Sequence, residues 1–159
     1  MTAMIDRPDS TDSATAVDTA PTSSGTVLRL LGALIMAAGL VLTVSGAATW
    51  ALVQTSLADE KITVADDAAR FAGEPVDGPL TAYYQADIIE KHALEGAGGK
   101  TYAELDREDP LRPMVMNGSF LRASLFTSIV SFGVAALAMA LGVLFAAVGY
   151  AVRRLAGTA

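Results

Sequence analysis

The sequence predicts a mainly α protein: a two-helix transmembrane hairpin whose spans are joined by a small, mostly helical loop domain and preceded by a disordered tail. Three observations carry this. Hydrophobic residues make up 52% of the 159 and mean hydropathy is +0.44, well above an ordinary soluble domain. The excess is concentrated in two stretches without a charged residue, Leu30 to Val53 and Ala123 to Val152. At about 1.5 Å rise per residue each exceeds the roughly 30 Å hydrocarbon core of a bilayer. The polar segment between them is too small to cover two helices that are apolar on every side, which argues against buried helices of a soluble protein.

Residues 1–26 are rich in Ser, Thr, Ala and Asp and lack apolar periodicity, so they read as a disordered cytoplasmic tail. Its acids Asp6, Asp9, Asp12 and Asp18 against the single base Arg7 argue against a tail that anchors to anionic lipid. The first apolar run begins too far into the chain for a cleaved signal peptide, so residues 27–58 read as an uncleaved first span with a short extension.

Residues 59–113 are expected to form the loop domain outside the cytoplasm. The loop, 54–122, carries thirteen acids and seven bases. Lys61 to Ala65 alternates in the manner of one short strand. Asp77-Gly78-Pro79 marks a turn that opens a helix from Leu80 to about Leu94, closed by Gly96, Gly98 and Gly99. Its Ala82, Ala86, Ile89 and Ala93 share one side at helical spacing. Thr101 with Glu104 has the form of a capping box and predicts a further short helix. Beyond Pro110 and Pro113, residues 114–154 are expected to run as one helix into the second span, leaving 155–159 as a cytoplasmic C-terminus. Arg29 beside the first span and Arg153 and Arg154 at the end of the second favour both termini inside, because a loop of this length largely escapes the positive-inside rule. Trp50 and Tyr150 read as aromatic anchors at the two interfaces.

The most structured signal lies within the spans. Gly32, Gly39 and Gly46 recur every seven residues, and Ser128, Ser131, Ala135, Ala138, Gly142 and Gly149 follow spacings of three and four, with Phe145 as the one large interruption. In lipid, small residues let helix backbones approach, and a period of seven implies a left-handed crossing, so these are the expected helix-packing seams. The same seams are also open to a homo-oligomer or a membrane-protein partner. Neither span holds an ionisable residue, which argues against a transporter or pump acting alone. Hydroxyls such as Thr43 and Ser131 leave a homo-oligomeric pore or transporter subunit as the alternative.

No catalytic, cofactor-binding or metal-binding residue is predicted. His92 is the only histidine and reads as a solvated surface residue; Asp66 with Asp67, and Asp106, Glu108 and Asp109, read as solvated charge, lacking the glycine and spacing of a calcium loop. With no cysteine, disulfides and thiolate metal sites are excluded. No phosphate-binding glycine loop, nucleophile elbow or dinucleotide fingerprint is present, and no nucleic-acid partner is implied.

The stretches Pro75-Val76-Asp77-Gly78-Pro79-Leu80-Thr81-Ala82, Gly99-Lys100-Thr101-Tyr102-Ala103-Glu104-Leu105-Asp106-Arg107 and Ser119-Phe120-Leu121-Arg122-Ala123-Ser124-Leu125-Phe126-Thr127 resemble a family of functionally uncharacterised two-span membrane proteins of actinobacteria. The resemblance covers the loop and both spans and implies a protein of the cell membrane. Members are sometimes labelled aromatic ring-opening dioxygenase subunits. An extradiol iron site takes two histidines and a carboxylate, and this chain has one histidine, so it does not build that site alone. The function expected from the residues is structural or interactive, as an accessory subunit of a membrane or envelope complex; a non-catalytic enzyme subunit is the weakest of the three readings.

Overall fold

The structure is a computed structural model, and it describes residues 24–157. The predicted tail lies outside these residues, apart from its last three, which form the first turn of a helix. Three helices make up the described chain: α1 (Ser24–Asp59), α2 (Pro79–Gly96) and α3 (Arg112–Leu155). The protein is mainly helical, and α1 and α3 are both long and apolar enough to cross a membrane.

α1 and α3 lie against each other along most of α1, and α2 packs on the N-terminal part of α3. The α1–α3 pair is antiparallel: Gly32 lies opposite Gly149, Gly39 opposite Gly142, and Gly46 opposite Ala135. Few large side chains are buried in this contact. Phe132 is the chief exception; its ring meets that of Trp50 edge-on at 4.7 Å. Trp50 is therefore half-buried between the helices, and its role as an interfacial anchor is at most shared with packing.

Between α1 and α2 the chain makes a tight double-back. Thr63 pairs with Pro75 as an isolated antiparallel bridge, flanked by Val64 N–H to Glu74 O at 2.9 Å and Val76 N–H to Ile62 O at 2.9 Å. No strand forms among the described residues, contrary to the expectation for Lys61 to Ala65. The reason is local: Lys61 (φ 54°) bounds the pairing on one side, Phe71 (φ 61°) and Gly73 (φ 75°) on the other, and residues in the left-handed region cannot continue a ladder. Val64 and Val76, each 1% exposed, plug this double-back into the core formed by Leu57, Ala82, Ala86, Leu125 and Phe132.

α2 starts where Pro79 fixes its first-turn φ. Gly78 has no side chain to cap with, so Thr81 supplies the oxygen: its hydroxyl accepts from Gly78 N–H at 3.2 Å and Asp77 N–H at 3.3 Å. α2 ends as Gly98 (φ 62°) and Gly99 (φ 83°) turn left-handed, with Gly99 N–H closing on Leu94 O at 2.7 Å. The contact of Thr101 with Glu104 is present, but the helix it was expected to open is not. The Glu104 carboxylate accepts from both the N–H and the hydroxyl of Thr101 at 2.8 Å, and the chain then continues as turns. Those hydrogen bonds, the N–H first, hold the Glu104 carboxyl below its usual value of 4.5. α3 begins at Arg112 and takes Pro113 into its first turn, where a missing N–H costs nothing. Proline therefore starts this helix two residues before the expected boundary.

Candidate functional site

The α1–α3 contact is built on the absence of side chains. A Cβ placed on Gly39 would meet Gly142 O at 2.5 Å and Ala146 N at 2.6 Å; one on Gly46 would meet Ala135 O at 2.7 Å; one on Gly149 would meet Gly32 O at 2.6 Å. Real Cβ atoms do not approach backbone so closely, so these positions admit only glycine at this helix separation. A Cβ on Gly142 would meet Gly39 O at 2.6 Å and also the Thr43 hydroxyl, which donates back to Gly39 O at 2.9 Å.

Of the residues singled out from sequence, Gly32, Gly39, Gly46, Ala135, Gly142 and Gly149 are buried together on this contact. Ser131 and Ala138 are half-buried and stand beside it; the neighbouring Phe132 and Met139 take the inner places, with Met139 Cγ 2.8 Å from a Cβ on Gly46. The inner row of α3 thus runs one residue later than the small-residue pattern at every second step. A pattern of small residues carries no signal for large ones, so Phe132 and Met139 are not legible in it. Phe145 does not interrupt the contact, because Ala146 presents its backbone to Gly39 while Phe145 remains 40% exposed.

The hydroxyls of the apolar helices are mostly satisfied within their own backbones. Thr127 donates to Ala123 O at 2.8 Å, Ser128 to Ser124 O at 3.3 Å and Ser131 to Thr127 O at 2.8 Å. Such back-bonding occupies the single donor of each hydroxyl and leaves its acceptor lone pairs.

Where the loop region meets the apolar helices, charged groups pair across α2 and α3. Arg122 Nη2 lies 2.8 Å from Glu90 Oε2, and its guanidinium stands 5.2 Å from the centre of the Phe126 ring. Arg112 donates to Leu105 O at 2.5 Å and covers the Tyr102 ring at 4.1 Å, closing a small second core of Ala97, Leu105 and Val115.

His92 and Asp67 are not isolated solvated groups. His92 Nε2 sits 2.8 Å from Asp67 Oδ2, and Lys91 Nζ is 3.6 Å from the same oxygen. The His92 hydrogen bond, outweighing partial desolvation, holds the Asp67 carboxyl below its usual value of 3.8. The two residues lie 25 apart in sequence, and no local pattern could have paired them. Among the described residues no group of three or more His, Asp or Glu is placed to hold a metal ion.

At the opposite end of the α1–α3 pair, Arg29, Arg153 and Arg154 come together around an open cavity of about 560 Å³ that Met36, Tyr150 and Gly157 also line. No family model matches this chain, and neither a curated protein nor a solved structure does.

Proposed function

We propose that this is an integral membrane protein of the cell membrane with two spans, both termini cytoplasmic and an acidic helical domain outside. In this reading it serves as a structural or interaction subunit of a larger membrane or envelope assembly. The observation that carries the proposal is the exposure of the apolar helices. Within the most apolar windows of α1 and α3 only 11% and 17% of residues are buried, and Leu40, Val44, Leu52, Val130, Leu137 and Val143 are each more than half exposed. A core helix of a soluble protein would hide such residues, whereas a bilayer leaves them where they are.

The glycine contact supports a hairpin formed within one chain, which directs an assembly partner to other surfaces, chiefly the loop domain and the outer helix faces. The lack of charged groups in the spans favours this reading over a pore or transporter subunit. The test combines alkaline carbonate extraction with native-size analysis in mild detergent. Retention in the membrane pellet and migration with a second protein are expected; a chain released by carbonate, or a stable lone monomer, would refute the respective halves of the reading. A reporter fused after Gly98 checks the topology, with a cytoplasmic signal overturning it.

A further inference from the structure

Among the described residues charge is divided between the two ends of the α1–α3 pair. The loop at one end holds thirteen acids and seven bases, while the described chain at the other end of α1 and α3 holds Arg29, Arg153 and Arg154 and no Asp or Glu. Among the described residues none of these arginines forms an ion pair. Gly32 gives Arg153 its path: a Cβ there would lie 2.6 Å from Arg153 Cγ, so the bare glycine lets the side chain cross α1. Its Nη1 reaches Met36 Sδ at 3.9 Å, a weak acceptor for a group with five donors. Arg154 Nε donates to the Tyr150 hydroxyl at 3.0 Å, which leaves both its terminal nitrogens free to bond elsewhere. The three arginines therefore line one cavity at the end of two apolar helices, with no carboxylate among the described residues there. A phosphate diester accepts in the planar, forked geometry that guanidinium offers. A lipid also supplies acyl chains to lie along the exposed apolar flanks beside Met36.

We propose that this cavity binds the headgroup phosphate of an anionic phospholipid, with Arg29, Arg153 and Arg154 as its cradle. The proposal rests on the membrane reading above. Its test uses the full chain in nanodiscs of phosphatidylcholine containing graded phosphatidylglycerol, with lipid adducts counted by native mass spectrometry. One retained phosphatidylglycerol is expected, and R29Q/R153Q/R154Q should weaken its retention about a hundredfold, roughly fivefold per arginine. R153K/R154K keeps the charge but not the fork and should still lose about tenfold; retention equal to wild type would mean diffuse attraction and overturn the site. Removing residues 1–20 should leave affinity unchanged. A large rise on that removal would make the acidic tail the occupant, and stabilisation by inorganic phosphate in pure phosphatidylcholine would make it free phosphate; either refutes the lipid assignment. A chain that stays dispersed without detergent or lipid would remove the membrane reading itself.

Discussion

Substituting Gly39 by Ala tests whether the α1–α3 contact depends on bare backbone. The new Cβ would sit 2.5 Å from Gly142 O and 2.6 Å from Ala146 N, both backbone atoms. Ordinary contact begins near 3.4 Å, so the helices must part by almost 1 Å at this point. They cannot absorb the change by swinging a side chain aside, and overpacking of this kind costs about 1–3 kcal/mol. The separation also loosens neighbouring contacts at Gly32 and Gly46, which places Gly39→Ala toward the upper end of that range. Gly133 supplies the control: it lies in the same helix pair, on α3, and a Cβ there meets nothing within 4 Å. Gly133→Ala should be neutral or slightly stabilising, since Ala is the better helix former. Thermal unfolding of both variants in one detergent, followed by far-ultraviolet circular dichroism and by crosslinking between α1 and α3, gives the comparison. Equal stability and equal crosslinking of the two variants would refute the argument that the close approach at Gly39 sets the helix separation.

Phe132→Ala removes the largest fully buried side chain, 1% exposed, and should cost about 3 kcal/mol. Because Trp50 is the only tryptophan and rests on that ring at 4.7 Å, its fluorescence should shift in the same variant. Thr81→Ala deprives Gly78 N–H and Asp77 N–H of their acceptor and should lower stability by about 1 kcal/mol, with faster hydrogen exchange confined to the start of α2. The Asp67 carboxyl is held below 3.8 by His92, so the ionised form is favoured in the folded state. The contribution of this contact is present above that value and is lost as the pH falls below about 4. Hydrogen exchange of residues 62–68 should rise over that acid range in the wild type and lack this pH dependence in Asp67→Asn.

How much of this architecture could be read from the chain depends on the range of the interaction concerned. The two long helices follow from composition alone, because uninterrupted apolar runs leave no local alternative. The ends of α2 were also readable, since Pro79 and the Gly98-Gly99 pair act through their own backbone dihedrals. The glycines of α1 announced a close contact, but the register of α3 was only half legible: Ala135, Gly142 and Gly149 belong to the small-residue pattern, whereas Phe132 and Met139 fill the wider gaps between them. The strand expected at Lys61 to Ala65 stops at a single bridge, because the left-handed residues Lys61, Phe71 and Gly73 bound the pairing. The contacts of Asp67 with His92 and of Glu90 with Arg122 join segments distant in sequence, and neither a spacing nor a composition rule marks them.

The length of α3 has a mechanical consequence. Its 44 residues extend about 66 Å, roughly twice the thickness of a hydrocarbon core, with no break at the point where α2 packs on it. In the proposed topology the part of this rod before Ala123, about 16 Å, stands clear of the span, tied to α2 by Glu90 and Arg122. A change in tilt of about 10° would carry the far end through about 3 Å relative to the membrane face. Bilayer thickness and lateral pressure act directly on such tilts. In that topology a helix of this kind would act as a lever, converting a small adjustment inside the membrane into a displacement of the segment packed on α2.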